Sequence, residues 1–306
     1  MKNKPYKTAE EVREEDMHMP KETVMRFGKE WIRFGNTKES ELLAYMDMES
    51  EEISPEDRSK TIKELLKEGA EMRITDSEGA TLLHLAATLG DVELMELCLK
   101  EELDVNFKNM FGVAPLHEAC RSDSHECVKL LLEAGADAKC EDDEKRTPLH
   151  EASMFNAYKC VKLLLEAGAD PNALCDTGWH PLNLASVTNA CESAEILLEA
   201  GANPNSRNLF EETPLHRACM FNSIKMVKLL IEKGADVDAI QPCKVEEVGI
   251  FEGQTPLHVA IMHDNFEIAK LLLEADANVN LLDTNGNTPL DIEKMKDYIK
   301  QIKKNV

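Results

Sequence analysis

The chain has 306 residues, of which 43% are hydrophobic and only 5% aromatic, so it can bury a large core that helices rather than sheets are expected to form. Its formal net charge of −23 disfavours binding to nucleic acid and to anionic membrane surfaces. Nine cysteines without a CxxC pair, and a polar N-terminus without a signal peptide, are typical of a reduced protein of the cytoplasm or nucleus.

The first predicted elements lie before residue 74. Residues 1–36 form an N-terminal extension, in which Pro20 to Gly35 combines aromatic and aliphatic residues and is expected to form a short helix. Two interpretations of this stretch stay open: it covers the exposed end of the repeats, or it is a docking peptide for a second partner. Further helices are expected at Glu41 to Met48 and Lys60 to Glu68, separated by an acidic insertion at residues 49–57.

A four-residue motif then recurs along the rest of the chain. It is Thr147-Pro148-Leu149-His150 in its full form, and related copies begin at Thr81, Ala114, His180, Thr213, Thr255 and Thr288. Successive copies are 33 residues apart, except for one interval of 42. The Thr hydroxyl can cap a helix whose first residue is Pro, and a Gly follows the second helix of most copies, where a left-handed residue can end it. Each copy therefore predicts two short helices and a loop.

These motifs and their spacing closely resemble the ankyrin repeat. The resemblance implies an all-α fold, a solenoid of helix-turn-helix units with β-hairpin loops. It divides residues 37–306 into a degenerate first repeat (about 37–74), six further repeats (about 75–282) and a C-terminal capping repeat (283–306). The six are counted below as full repeats one to six, beginning at the Thr81 motif. Terminal units cover the ends of a repeat stack and are therefore expected to be atypical.

The resemblance also implies a modification. In ankyrin proteins an Asn of the loop can be a substrate for an asparaginyl hydroxylase, and Asn106, Asn172, Asn205 and Asn280 occupy that position. Glu102 and Asp276 replace the Gly that ends the second helix in two repeats, so these loops are expected to be the least regular. Asn106 and Asn280, which follow them, are the predicted hydroxylation sites. The alternative is that all four Asn side chains bond the loop backbone.

The recurring His and Cys residues are the candidates for chemistry. A His ends five of the motifs, and because a catalytic site needs one special arrangement, this recurrence favours a structural hydrogen bond to backbone or Thr groups. The cysteines recur at equivalent helix positions, which favours core packing over zinc binding. No GxGxxG, Walker, GxSxG or HExxH motif occurs. We therefore expect no enzymatic activity, no cofactor and no metal.

The predicted partner-binding residues follow from the resemblance, because ankyrin partners usually contact the loop tips and the adjacent ends of the first helices. These positions carry a heavy apolar load: Met110, Phe111, Trp179, Leu209, Phe210 and Phe251 at the tips, and Met154, Phe155, Met220, Phe221, Met262 and His263 at the helix ends. Exposed apolar patches mark binding sites, although single rings can instead pack against a neighbouring repeat. The interleaved acids predict a protein partner with apolar anchors and basic flanks.

The predicted function is a monomeric intracellular adaptor or scaffold. Two alternatives remain. His117-Glu118-Ala119-Cys120 and the Cys127 to Glu133 helix resemble repeats of ubiquitin-ligase substrate receptors, but the SOCS box that usually follows in those proteins is not found in these 306 residues, so cullin recruitment is not expected. The other alternative is an ankyrin effector of an intracellular microbe. Nine extra residues between Ile240 and Gly253 predict a projecting loop, whose role is open.

Overall fold

The computed structural model describes residues 7–8, 23–27, 30–34, 37–48, 53–241 and 253–292. The chain divides into two compact units, Met1–Asp143 and Glu144–Val306, each described by itself. Among its described residues, the first unit contains two strands, β1 (Thr23–Phe27) and β2 (Glu30–Phe34), and six helices: α1 (Lys38–Asp47), α2 (Pro55–Lys67), α3 (Leu82–Leu89), α4 (Val92–Lys100), α5 (Pro115–Arg121) and α6 (His125–Glu133). In this unit α3 packs on α5, and α4 packs on α6.

The described part of the second unit contains four helical pairs, one for each of the full repeats three to six. Its helices are α7 (Pro148–Met154), α8 (Tyr158–Glu166), α9 (Pro181–Thr188), α10 (Cys191–Glu199), α11 (Pro214–Met220), α12 (Ile224–Glu232), α13 (Pro256–Met262) and α14 (Phe266–Glu274), followed by a 3-10 turn at Pro289–Asp291. The first helices of the repeats lie side by side in one layer, and the second helices form the other layer. The predicted helix-turn-helix units are therefore confirmed.

The ends of the helices follow from the sequence motif. In full repeat five, Thr213 has an extended backbone, Pro214 begins the helix, and the Thr213 hydroxyl accepts a hydrogen bond from the backbone N–H of His216 at 3.5 Å. Left-handed residues end the first helices, as at Asn156 (φ 55°) and Asn222 (φ 55°). These two residues let the chain turn back sharply, because Asn tolerates positive φ better than most residues.

The core of the second unit contains a row of leucines from the second helices, Leu164, Leu197 and Leu230, which are fully buried. In the first unit Leu131 is fully buried at the equivalent place. The leucines beside them in the sequence are only half-buried. Neighbouring residues of a helix point about 100° apart, so only one of each pair can face the core fully.

The loops between repeats are tight reversals with few ladder hydrogen bonds. In the first unit Asn109 N–H donates to Val113 O at 2.9 Å, and Gly112 N–H donates to Asn109 O at 3.1 Å. The Asn109 carboxamide oxygen also accepts from the backbone N–H of Phe111 at 3.0 Å. The tip is therefore closed by side-chain and backbone bonds of the same loop, which fixes its conformation before any partner arrives.

The helix predicted between Pro20 and Gly35 is wrong, because β1 and β2 form an antiparallel pair in which Phe27 lies opposite Glu30. Aromatic and β-branched residues, which are frequent in this stretch, favour strands. The second strand contacts α1, which favours the interpretation that this segment covers the end of the repeats.

The helix α2 begins earlier than its sequence prediction. Ser54 accepts a hydrogen bond from the backbone N–H of Asp57 at 3.1 Å and Pro55 is the first helical residue, so the predicted acidic insertion ends in a capped helix. Of the C-terminal capping repeat, residues 283–292 are described and include the turn at Pro289–Asp291, and 293–306 lie outside the described residues. No helix of the described part is both long and apolar enough to cross a membrane.

Candidate functional site

The motif histidines link successive repeats. In full repeat three the backbone N–H of Thr147 donates to His150 Nδ1 at 3.0 Å, and His150 Nε2 lies 3.1 Å from the carbonyl oxygen of Trp179 in the next loop. Because Nδ1 accepts a hydrogen bond, Nε2 carries the proton and donates it to that carbonyl. His84, His216 and His258 make the same pair of bonds, with the carbonyl oxygens of Val113, Gln254 and Asn287.

These bonds occupy both nitrogens of the ring and favour its neutral form. Burial lowers the pKa of His84 and of His216 to about 4, and burial also lowers the pKa of His258. A general base needs a free nitrogen within reach of a substrate, whereas these rings are enclosed. The His residues are thus structural links, as the recurrence of the motif predicted.

Full repeat four departs from this pattern. It has His180 at the Thr position and Asn183 at the His position, and the backbone N–H of His180 donates to Asn183 Oδ1 at 3.3 Å. Asn183 is fully buried, and among the described residues its Nδ2 has no hydrogen-bond partner. The amide therefore replaces the imidazole at the helix start, and its Oδ1 also accepts from Ser206 Oγ of the next loop at 3.3 Å, but it makes no bond to the loop carbonyl that the histidines reach.

The described cysteines are not arranged for catalysis or metal binding. Eight are free thiols, and all except Cys191 are buried. Burial raises the pKa of Cys98 and of Cys140 to about 12 and also raises the pKa of Cys219, so these thiols stay protonated and weakly nucleophilic. No group of three or more His, Cys, Asp or Glu residues in the described ranges is placed to hold a metal ion.

Most of the predicted partner-binding residues are exposed. At the loop tips Met110 is 70% exposed in the first unit, where Phe111 lies beside it, and Leu209 is 67% exposed in the second unit. The other exposed members are Phe210, Met154, Phe155, Phe221, Met262 and His263, all of the second unit. Met220 and Trp179 are half-buried, and Phe251 lies outside the described residues, as does most of the nine-residue insertion.

Trp179 is held by contacts that the sequence analysis missed. The guanidinium carbon of Arg217 lies 4.6 Å from the centroid of the Trp179 ring, and Arg217 Nε lies 2.9 Å from a carboxylate oxygen of Glu212. Glu212 is only 2% exposed, and Asn208 Nδ2 donates to the same carboxylate oxygen at 2.9 Å. We call Trp179, Arg217, Glu212 and Asn208 the Trp179 network.

A sequence signal for this network exists. Glu212 and Arg217 stand at the positions held by Arg146 and Glu151 in full repeat three, so the two pairs have the same spacing and opposite charges. Arg146 Nη1 lies 3.7 Å from the Glu151 carboxylate, which confirms that these positions face each other. A charge pair reversed between equivalent positions is therefore a detectable sign of contact.

The loop asparagines bridge consecutive loops. Asn106 Nδ2 donates to Gly135 O at 3.2 Å and its Oδ1 accepts from the backbone N–H of Asp137 at 2.8 Å. Asn172 and Asn205 make the corresponding two bonds in the second unit. The expectation that the loop after Glu102 is irregular is wrong: Glu102 has a φ of 53°, yet this strain stays local and Asn106 is bonded as in the other repeats.

Asn280 differs from the other three asparagines. It is exposed, and its backbone N–H donates to Asn278 Oδ1 at 3.0 Å, but its side chain has no hydrogen bond within the described residues. Asp276, which precedes this loop, has a φ of 62° where most repeats have Gly. The Asn280 side chain is therefore the more accessible of the two predicted hydroxylation sites.

Comparisons with known proteins agree with this architecture. The family profile described as "Ankyrin repeats (3 copies)" matches residues 53–142, 134–208 and 215–292. The human ASB11 ankyrin repeat domain is 29% identical, with a TM-score of 0.63, covering 72% of this chain and 98% of that domain. The ankyrin repeat domain of Bcl-3, described as a unique member of the IkappaB protein family, is 26% identical, with a TM-score of 0.61, covering 73% and 100%. No curated protein sequence matches the chain. The helical pairs, the His and Asn links and the family match together show that the chain belongs to the ankyrin-repeat family.

Proposed function

We propose that this chain is an intracellular adaptor or scaffold that binds a protein partner through its loop tips and the ends of its first helices. Ankyrin repeats are protein–protein interaction modules, and members of the family are generally not enzymes. The observation that carries the proposal is the set of exposed aromatic and Met side chains in the second unit, at positions where the repeat does not need them. The chain acts as a monomer in this proposal.

The helix-end residues support this interpretation most directly. Phe155 and Phe221 occupy equivalent positions in full repeats three and five, and they are 48% and 49% exposed. Each follows a Met, and Met262 of full repeat six is 40% exposed at the equivalent Met position. A single exposed apolar residue is ordinary on a protein surface, but the same exposure at equivalent positions of several repeats indicates a surface that a partner covers.

The partner chemistry follows from charge. The chain carries a net charge of −23, and Glu211 directly follows the exposed Leu209 and Phe210 at a loop tip of the second unit. Long-range attraction therefore favours a partner with Lys or Arg beside its apolar anchors. Nucleic acid and anionic membranes are not the proposed partners, because the same field repels them.

Replacement of Phe155 and Phe221 by Ala tests the proposal. Each truncation is expected to weaken binding of the partner captured from the native cell by roughly 2 kcal/mol, about thirtyfold in Kd. Circular dichroism and the melting temperature are expected to stay nearly unchanged, because the rings are outside the core. Isothermal calorimetry with the purified partner gives the affinities.

Two further exposed leucines give the matched control for this experiment. Leu174 and Leu282 are 53% and 57% exposed but lie outside the predicted partner-binding set. Their replacement by Ala is expected to leave the affinity unchanged. Equal losses of affinity in both sets would contradict the proposed surface, and a large fall in melting temperature for the Phe variants would show that these rings stabilise the fold instead.

A second candidate function is substrate recognition for a ubiquitin ligase. The specific observation is the resemblance of His117 to Cys120 and of the α6 sequence to repeats of such receptors. The candidate requires that a cullin copurifies with the chain from its native cell. Copurification that does not depend on Phe155 and Phe221 would place the cullin contact away from the proposed partner surface.

Hydroxylation of Asn106 and Asn280 is proposed as well. An asparaginyl hydroxylase must reach the side-chain methylene. Both residues are exposed, but the Asn106 amide is held by two bonds to the next loop, whereas the Asn280 side chain has no hydrogen bond within the described residues. We expect mass spectrometry of protein from an animal cell to find a mass increase of one oxygen at Asn280 first, and at Asn106 to a smaller extent. Modification confined to Asn172 or Asn205 would contradict the assignment.

A further inference from the structure

Full repeats four and five lack the imidazole-to-carbonyl bond that joins the other repeats of the second unit, although Asn183 Oδ1 accepts from Ser206 Oγ of the next loop at 3.3 Å. His150 and His216 each donate to a carbonyl oxygen of the next loop, at 3.1 Å in both cases. Asn183 stands between them in the sequence, at the equivalent position, and its Nδ2 has no partner within the described ranges. The carbonyl at the equivalent place in the next loop is that of Glu212, which accepts from its own loop at Asn208 N–H, 3.1 Å away.

The Trp179 network joins the same two repeats by a different route. Trp179 belongs to full repeat four, and the guanidinium that covers one face of its ring belongs to Arg217 of full repeat five. A cation within about 6 Å of an indole centroid is attracted by the ring quadrupole, and the attraction is stronger where water is excluded. The Arg217 side chain is 16% exposed, so much of its hydration has been removed.

The buried carboxylate of Glu212 holds the cation in place. It contacts Arg217 Nε at 2.9 Å and accepts from Asn208 Nδ2 at 2.9 Å, while Asn208 Oδ1 accepts from the backbone N–H of Phe210 at 2.9 Å. Arg217 Nη1 also lies 3.5 Å from Met220 Sδ. The Trp179 network therefore includes one predicted partner-binding residue, Trp179, and contacts two more, Phe210 and Met220.

The reversed charges explain why only full repeat five can do this. In full repeat three the acid, Glu151, is on the helix and Arg146 is in the loop. In full repeat five the helix carries Arg217 instead, and from the helix its long side chain extends over Trp179. Exchange of the two charges would leave the pair intact but would put a carboxylate, which the face of an aromatic ring repels, beside Trp179.

We propose that Arg217, held by Glu212, is a positioning residue that fixes the Trp179 ring on the interaction surface and adds a contact between full repeats four and five, where the imidazole-to-carbonyl bond is missing. The inference rests on the proposed function, in which Trp179 is a partner anchor. A ring that is already fixed loses little freedom on binding, which is how a rigid aromatic side chain contributes affinity. A cation–π contact of this kind raises the population of the held ring by about two- to fivefold.

Tryptophan fluorescence tests the proposal without any partner. The chain has two tryptophans, so Trp31→Phe leaves Trp179 as the only reporter. In that background Arg217→Met is expected to shift the emission to longer wavelength and to raise the acrylamide quenching constant, with Arg217→Lys between the parent and the Met variant because Lys keeps the charge but not the planar stack. Glu212→Gln is expected to raise quenching as well, since it releases Arg217 while keeping its own shape.

A matched variant separates positioning of the ring from stability. His180→Thr combined with Asn183→His restores the full motif and is expected to raise the melting temperature by supplying the imidazole-to-carbonyl bond. The same pair of changes is expected to leave the acrylamide quenching of the Arg217→Met variant high. Quenching equal to that of the parent in both Arg217→Met and Glu212→Gln would overturn the proposal. If the Arg217→Met variant does not fold, the quenching of the Glu212→Gln variant alone decides whether the proposal stands. Restoration of low quenching by the His variant would also overturn it.

These readouts are independent of the partner-binding test. Unchanged quenching would refute the role of Arg217 and leave the Phe155 and Phe221 result standing. If the Phe variants bind the partner with unchanged affinity, the proposed function is refuted. The fluorescence result would then still stand as a structural property of full repeat four.

Discussion

Acidification from pH 7.5 to pH 5 is expected to lower the free energy of unfolding by about 4 kcal/mol, because two buried histidines resist protonation. His84 and His216 have folded-state pKa values of about 4, against 6.5 for an ordinary His, since burial disfavours their charged form. Between these values the unfolded chain binds a proton that the folded chain does not, so stability falls as the pH falls. Each His contributes about 2 kcal/mol over this range, and His258 acts in the same direction.

The measurement is urea unfolding at a series of pH values from 7.5 to 4.5. Asp91 has a lowered pKa and acts only below this range, whereas burial raises the pKa of Asp76, which opposes the His effect near its lower end. His216→Asn serves as the control, because Asn183 already occupies the equivalent buried position. The variant is expected to be less stable at pH 7.5. Its free energy of unfolding is also expected to fall less steeply on acidification, by up to about 1.4 kcal/mol per pH unit. An unchanged slope would exclude His216 as a source.

Substitution of Gly178 by Ala is expected to cost about 2 to 4 kcal/mol, from backbone strain combined with a steric clash. Gly178 has a φ of +72°, and a Cβ built there lies 2.7 Å from the backbone nitrogen of Leu209 and 2.4 Å from its Cγ. The backbone of the neighbouring loop cannot move away without disturbing its own bonds. Because Trp179 follows directly, the same change is expected to displace part of the proposed partner surface.

Gly168→Ala is the matched control for this substitution. Gly168 has a φ of +88°, but a Cβ there has no atom within 4 Å, so only the strain of a left-handed alanine remains, about 1 kcal/mol. Chemical denaturation of the two variants measures the difference. Equal losses would show that the loop of Leu209 adapts to the methyl group and that its close approach to Gly178 is not a constraint.

The helical pairs could be predicted because their signals are local. The Thr-Pro start of α7 and the left-handed Asn156 at its end lie within one turn of the helix they define. The same signal, Ser54-Pro55, begins α2, but it lies in a run of acidic residues that also fits an exposed loop, and in the structure the acids after Pro55 form the first helical turn. The strands β1 and β2 lack a distinctive local motif.

The contacts that join the repeats were harder to predict because they connect residues far apart in the sequence. Exposure of Phe155 and Phe221 follows from their place at the helix ends, so it was predictable. The stacking of Arg217 on Trp179 requires that the helix member of the charge pair, and not the loop member, carries the positive charge. The effect of this choice is visible only once the repeats are aligned in space. The Asn106 bridge likewise acts between neighbouring loops.

The Asn172 and Asn205 bridges use the same atoms at the same spacing in successive repeats. A gene duplication or deletion of one such unit would remake these bonds automatically, so they permit the number of repeats to change in evolution. The contact of Arg217 with Trp179 has no such copy, because neither residue type recurs at its position in the neighbouring repeats. Full repeats four and five are therefore expected to be gained, lost or recombined together, as one inherited pair.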